Sequence, residues 1–264
     1  MADTVAVGGS SGFSIGRVAS RTFAVLGRNL LSFFGLSILV VIPQLLYTTF
    51  LVRGFSGSGA PNPAMFRSGQ YWIGFLTTML LWLALSFVLQ AALTYGTIMD
   101  LNGKRASITD ALLTGLKLIV PLFAIAILFG IGVALGSLLL VVPGLMLLMA
   151  WFVVIPVRVT ENTAILDSFS RSAQLTKGHR WSIFGLLVIY VIGLIAFQFI
   201  TSPLFGITFI KTQPGSWNTG YIIFEAVIRG ITAVISATGI ACIYYELRMV
   251  KEGLGPAQLA SVFE

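Results

Sequence analysis

Glu225 and Arg229 are the clearest candidates for functional residues, because they are ionisable residues inside an otherwise apolar stretch of the chain. Residues four apart share one face of a helix, so this pair can form a salt bridge. An ionisable pair within a membrane span is a candidate gate or a candidate binding site for a polar substrate. The structural alternative is that the two side chains neutralise each other or extend to the external headgroups.

A second set of charged residues surrounds residues 163–177. Arg171, Lys177 and Arg180 form a basic cluster, and Glu161 could pair with one of them and fix the loop. Clustered cations at a membrane edge attract the phosphates of anionic lipids. We therefore predict that these four residues bind lipid headgroups or a cytoplasmic partner, with structural anchoring as the alternative.

The residue types that most enzymes use are scarce in this chain. His179 is the only histidine, which excludes a metal site built of several histidines from one chain. The sequence contains no GxSxG elbow, no P-loop and no GxGxxG fingerprint, and Glu225 is the only acid that stands between the two ends of a predicted span. We therefore predict no catalytic site, no metal and no cofactor, and we interpret His179 as an interfacial anchor.

The elements that must position these residues are predicted to be transmembrane helices. Hydrophobic residues make up 57% of the chain and charged residues 9%, whereas soluble domains carry roughly 25% charged residues. The prediction is an all-α fold, a polytopic bundle of about six transmembrane helices forming one integral membrane domain over residues 1–264. The predicted spans are residues 29–52, 71–99, 118–140, 144–159, 181–205 and 221–246.

The third and fourth predicted spans share one uncharged run from Leu118 to Val157. As a single helix this run would be about 60 Å long, twice the thickness of the hydrocarbon. Val142-Pro143-Gly144 near its middle is a turn signal, so we predict a hairpin there. A full transmembrane hairpin and a shallow re-entrant one both fit this pattern.

The distribution of positive charge predicts the orientation. On the predicted topology, most of the 16 basic residues fall before the first span, after the second and fourth spans, and in the C-terminal tail. This is the positive-inside pattern with both termini in the cytoplasm, and it predicts a location in the cell inner membrane. Orientation therefore explains the net charge of +7 without nucleic acid as a partner.

Two cytoplasmic segments have the apolar periodicity of amphipathic helices. They are residues 13–29 and 163–177, and both are predicted to lie in the headgroup layer. Residues 107–117 before the third span are a weaker third case. Each of the three precedes a pair of predicted spans.

The first two of these segments also align with each other without a gap. Residues 14–36 match residues 164–186 at several positions, including Arg21 with Arg171. We hypothesise a threefold pseudo-repeat in which an interfacial helix is followed by a hairpin of two spans.

Several stretches carry a resemblance to a known family. They are Val142-Pro143-Gly144, Pro156-Val157, Glu161, the run Ser170–Trp181, and Tyr244–Arg248 followed by Lys251–Gly253. This pattern resembles the glycerophosphoryl diester phosphodiesterase membrane-domain family, in which a proline-glycine turn, a glutamate and an R-S-x-x-L-T-K-G stretch precede a hydrophobic span. The resemblance implies a stand-alone membrane domain, without the catalytic domain that accompanies the membrane region in some family members.

These features predict a non-enzymatic multi-pass inner-membrane protein that assists lipid handling, export or membrane organisation. The predicted partners are membrane lipids, including anionic headgroups, and a membrane protein or a second copy of the chain. One alternative is a transporter or channel subunit with a polar path between kinked helices. The other alternative is a lipid-modifying membrane enzyme.

Overall fold

A computed structural model describes residues 12–53, 62–201 and 219–253 of the chain. Within these ranges the regular secondary structure is helical, without strands, which confirms the all-α prediction. The helices are α1 Ile15–Arg28, α2 Leu30–Arg53, α3 Pro63–Arg67, α4 Gly69–Leu101, α5 Ile108–Lys117, α6 Ile119–Leu139, α7 Val141–Ala150, α8 Val154–Glu161, α9 Ile165–Thr176, α10 Arg180–Thr201 and α11 Thr219–Glu252.

Six helical segments in the described ranges are long and apolar enough to cross a membrane: α2, α4, α6, the α7–α8 pair, α10 and α11. This confirms the polytopic bundle, and the chain is a multi-pass membrane protein. With 33 and 34 residues, α4 and α11 are each about 50 Å long, well beyond the roughly 30 Å of hydrocarbon. Residues 202–205 of the predicted fifth span lie outside the described residues.

The first amphipathic segment folds as α1, and its ends follow from its sequence. The Ser14 hydroxyl caps the first turn by accepting a hydrogen bond of 3.4 Å from the Arg17 amide. Asn29 interrupts the helix, and its side chain donates to the Val25 carbonyl at 3.0 Å. Val18 and Val25 are buried, so α1 packs its apolar face against the bundle.

The second amphipathic segment folds as α9, and its buried face is more polar than its sequence pattern indicates. Phe169 is buried, and Ser172 and Thr176 are fully enclosed as well. Their hydroxyls donate to the Ala150 carbonyl at 2.9 and 3.1 Å. Because the helix breaks directly after Ala150, these hydroxyls satisfy a carbonyl that has lost its helical partner.

The turn between α6 and α7 does not lie at Val142-Pro143-Gly144 as predicted. Leu140 is the turn residue, with an extended backbone (φ −164°, ψ 152°), and the predicted tripeptide belongs to the first turn of α7. Proline is tolerated there because its missing N–H has no helical acceptor. A Cβ on Gly144 would lie 2.8 Å from the Ser137 backbone nitrogen, so glycine permits the close approach of α6 and α7.

The largest buried cluster surrounds the C-terminal half of α11 and joins α1, α4, α7–α8, α9 and α10 to it. Its buried members are Val18, Ile98, Met149, Val153, Val157, Leu175, Ile183, Ala241, Cys242, Ile243, Tyr244, Tyr245 and Leu247. Ile183 is the buried residue of α10, and the rest of that helix is open or half-buried. The bundle is therefore most tightly packed at the end where α11 finishes, and α10 lies at its periphery.

The helix order fits the predicted repeat, since a short helix precedes two long ones three times: α1–α2–α4, α5–α6–α7/α8 and α9–α10–α11. The aligned residues Arg21 and Arg171 both form ion pairs with glutamates of α11, Glu246 and Glu252 respectively. The hairpins differ, however. α2 packs along α4 and α6 along α7, whereas α10 packs mainly on α7.

Candidate functional site

Glu161 and Arg171 meet at the end of the bundle where α8 and α11 finish. Arg171 Nε donates to Glu161 Oε2 at 2.9 Å, and its Nη2 forms a second ion pair with Glu252. Arg248 Nε donates to the other oxygen of Glu252 at 2.9 Å. Burial acts to lower the pKa of Arg171, but the hydrogen bonds that Arg171 donates to Glu161 and Glu252, together with the charges of these two acids, outweigh it and raise that pKa. Two acids and two arginines thus balance in charge.

Tyr244 closes this network from the bundle interior. Its hydroxyl donates to Glu161 Oε1 at 2.8 Å and lies 2.7 Å from the Thr160 hydroxyl. Arg248 Nη1 donates to the same hydroxyl at 3.2 Å. Tyr244 is buried, and its partners Glu161 and Arg248 also form ion pairs with other members of the network. The network therefore holds α8, α9 and α11 in contact.

Lys177 and Arg180 stand apart from this network, so the predicted cluster of four charged residues divides in two. Both residues flank Gly178, whose φ of +88° allows the chain to turn sharply from α9 into α10. They line a cavity of about 340 Å³ together with Val142, Leu145, Met146, Met149, Gly178, Trp181 and Phe184. We call this the Lys177–Arg180 cavity.

The Lys177–Arg180 cavity has a cationic rim and an apolar wall. Lys177 and Trp181 are exposed, while four apolar side chains of α7 form one wall. The Nε of Arg180 is enclosed and has no hydrogen-bond partner among the described residues. A buried donor without an acceptor is costly, and an anion beside this guanidinium would offset part of that cost through its charge.

His179 lies between these two cations and contacts the N-terminal segment. Its ring stacks on Phe13 at a centroid distance of 5.6 Å. Burial and, secondarily, the charge of Lys251 lower the pKa of His179. This position agrees with a role in attaching α1 to the α9–α10 junction.

Glu225 and Arg229 pair with each other, as their spacing predicts. Arg229 Nη2 lies 2.6 Å from Glu225 Oε1. The pair lines a cavity of about 190 Å³ between α10 and α11, together with Gln198 and Thr232. Both charges lie near the start of α11, beside Gln198 in the C-terminal part of α10. The Lys177–Arg180 cavity lies at the other end of α10, where that helix begins.

The sequence reasoning missed the acid that holds α1. Glu246 is buried, and it forms ion pairs with both Arg17 and Arg21. A similar contact joins Arg28 to Asp100, with Nη2 and Oδ2 2.5 Å apart. An acid near the end of an apolar stretch is the available sequence signal, but it does not indicate a partner more than 200 residues away.

Comparisons of the chain with protein-family models, with curated proteins and with solved structures found no match. The resemblance to the glycerophosphoryl diester phosphodiesterase membrane-domain family therefore stays a prediction from the quoted motifs.

Proposed function

We propose that this chain is a non-enzymatic inner-membrane protein that assists lipid handling by holding an anionic phospholipid in the Lys177–Arg180 cavity. The observation that carries this proposal is the juxtaposition of an unpaired guanidinium nitrogen on Arg180 with an apolar wall from α7. A phospholipid has the same two-part chemistry, because its glycerol joins a charged phosphate to apolar acyl chains.

The cations suit a phosphodiester. Arg180 offers a planar array of donors that matches phosphate oxygens, and Lys177 adds a flexible point charge. Trp181 is 81% exposed, and exposed tryptophans favour the headgroup level of a bilayer. On the wall, Leu145 and Met146 provide apolar contact for the first methylenes of an acyl chain.

The proposed orientation has both termini in the cytoplasm. It is supported by the positive-inside charge pattern and by the contact of the first described helix with the last, through Arg17 and Glu246. We further propose membership of the resembling family, as a stand-alone membrane domain. The lipid would then be drawn from the cytoplasmic leaflet.

Native mass spectrometry of the purified full chain tests the proposal. The protein is exchanged into nanodiscs with equal amounts of phosphatidylglycerol and phosphatidylcholine, and the lipids retained after release are counted. We expect retained phosphatidylglycerol in the parent chain and its loss in the double variant Lys177→Ala/Arg180→Ala.

The matched control is Arg105→Ala/Lys117→Ala, which removes the same charge from exposed positions outside the cavity. This control should retain phosphatidylglycerol like the parent chain. Equal loss in both double variants would mean that net charge, not the cavity, retains the lipid. Equal retention of the two lipids by the parent chain would also overturn the proposal.

One observation favours a transporter or channel subunit as a second candidate. The cavity beside Glu225 and Arg229 is lined by Gln198 as well, which gives a partly polar chamber between α10 and α11. Transport requires access to this chamber from both sides, so a cysteine at Gln198, in a chain with Cys242→Ala, should react with a membrane-impermeant thiol reagent from either side. Reaction from one side alone would leave the chamber without a path across the membrane.

A further inference from the structure

We infer that the α6–α7 hairpin does not cross the membrane but is re-entrant, with its tip inserted among the acyl chains of a single leaflet. The two helices enter and leave through the membrane face at which α10 begins. Although α6 and the α7–α8 pair are each long enough to span, four observations place their shared turn inside the hydrocarbon. None of these observations depends on lipid binding in the Lys177–Arg180 cavity.

The first observation is the composition of the tip. Residues 138–142 read Leu-Leu-Leu-Val-Val, and all five side chains are exposed, from 65% at Val142 to 83% at Leu138. A turn at the far membrane surface would expose this run to water, where large apolar patches are unfavourable. Among acyl chains the same exposure carries no such cost.

The second observation is the reach of α7. The Ala150 carbonyl accepts a hydrogen bond of 3.1 Å from Thr176, the last residue of α9. From Ala150 to the turn at Leu140 the helix extends about 15 Å. Because Thr176 directly precedes Lys177, whose charge requires headgroups or water, we infer that Ala150 lies near that membrane surface. From there α7 reaches about half of the roughly 30 Å hydrocarbon thickness, and any tilt of α7 shortens the depth reached.

The third observation is that the tip of the hairpin lines the same cavity as two cationic side chains. Val142 lines the Lys177–Arg180 cavity, which has a volume of only about 340 Å³. The charged groups of Lys177 and Arg180 require headgroups or water, even when their side chains extend toward the interface. Val142 is therefore too near one membrane surface to lie at the other.

The fourth observation is that the turn is tight and pairs part of its own backbone. The Leu140 amide donates to the Gly136 carbonyl at 3.2 Å, and Pro143 has no N–H to satisfy. The close approach of Gly144 to Ser137 lets a single residue reverse the chain. Backbone at membrane depth must be satisfied in this way, because lipid offers no hydrogen bonds.

Cysteine accessibility in proteoliposomes tests the inference. Cys242 is the only cysteine of the chain, so Cys242→Ala provides a background for Val142→Cys. Two exposed reference positions report the two ends of the bundle: Ala64→Cys in α3 and Arg105→Cys between α4 and α5. A membrane-impermeant maleimide is applied to right-side-out and to inside-out vesicles.

We expect Val142→Cys to stay unlabelled from both sides, while each reference cysteine is labelled from one side. Labelling of Val142→Cys from the side of Ala64→Cys would show a full crossing and overturn the inference. Labelling from the side of Arg105→Cys would place the tip in water and overturn it as well. A spin label attached at Val142→Cys provides an independent check. If the tip lies among acyl chains, the label should collide more often with oxygen, which dissolves in lipid, than with a water-soluble nickel chelate.

Discussion

Arg17 Nε donates a hydrogen bond of 2.8 Å to Oε1 of Glu246, and this contact joins the first described helix of the chain to the last. Arg21 binds the second oxygen of the same carboxylate. The Glu246 side chain is only 2% exposed, against 36% for Arg17 and 26% for Arg21. The carboxylate is therefore buried between two cations, and the position of α1 on α11 depends on it.

Glu246→Gln should destabilise the protein by about 1.5–3 kcal/mol, because the buried carboxylate loses charge-assisted hydrogen bonds to two arginines that are themselves partly exposed. The measurement is the denaturation midpoint in detergent, followed by tryptophan fluorescence. Asp167→Asn removes one carboxylate charge from an exposed position on α9 and should change stability by no more than about 0.5 kcal/mol. Equal effects in the two variants would refute the assigned role of Glu246.

Gly144→Ala should destabilise the α6–α7 hairpin. The added methyl would lie 2.8 Å from the Ser137 nitrogen, a backbone atom that cannot move aside cheaply, so a cost of about 1–3 kcal/mol is expected. Gly130→Ala on α6 meets nothing within 4 Å and should be neutral or stabilising, since alanine favours a helix. Thermal unfolding of both variants in the same detergent distinguishes them, and a harmless Gly144→Ala would contradict the close packing.

Tyr244→Phe should destabilise the protein by weakening the contact between α8 and α11. The change removes a hydroxyl that binds Glu161 at 2.8 Å, and it leaves buried polar partners unsatisfied at a cost of about 1–3 kcal/mol. Tyr245→Phe is the matched control, because its hydroxyl makes a long contact of 3.5 Å with the Leu101 carbonyl. The prediction fails if the two variants unfold at the same denaturant concentration.

Acidification should destabilise the protein through His179. Burial and the charge of Lys251 lower the pKa of His179 in the folded state, so the unfolded state takes up a proton at a higher pH, near the usual value of about 6.5. The free energy of unfolding therefore begins to decrease as pH falls through about 6.5. It stops decreasing once pH is below the lower pKa of the folded state. Thermal midpoints at pH 7.5 and 5.5 should differ less in His179→Gln than in the parent chain; an unchanged difference would exclude this contribution.

The helices were predictable because their signals are local. Low charge and long apolar runs indicate membrane helices wherever they occur, and the periodicity of residues 13–29 indicates α1 without knowledge of its partner. The Glu161–Arg171 contact was also within reach, since the two residues are ten positions apart and one short loop separates their helices. The same local reasoning placed the α6–α7 turn at Val142-Pro143-Gly144, although a proline fits the first turn of a helix as well as a loop.

The remaining contacts were not predictable from a single sequence, because their partners come from distant segments. Glu246 is held by α1 from the opposite end of the chain, and Glu252 by Arg171 of α9. Lys177 and Arg180 are close in sequence, but the apolar wall that faces them comes from α7. Packing between helices, which no spacing pattern encodes, decides these arrangements.

Photocrosslinking tests the central claim, the lipid site at the Lys177–Arg180 cavity, most directly. A benzophenone amino acid replaces Met146 on the cavity wall or, as the control, Ile189 on the open face of α10, in membranes with equal phosphatidylglycerol and phosphatidylcholine. After irradiation, mass spectrometry should find adducts enriched in phosphatidylglycerol at position 146 and a near-equal mixture at position 189. The same lipid composition in the adducts at both positions would contradict a specific anionic lipid site.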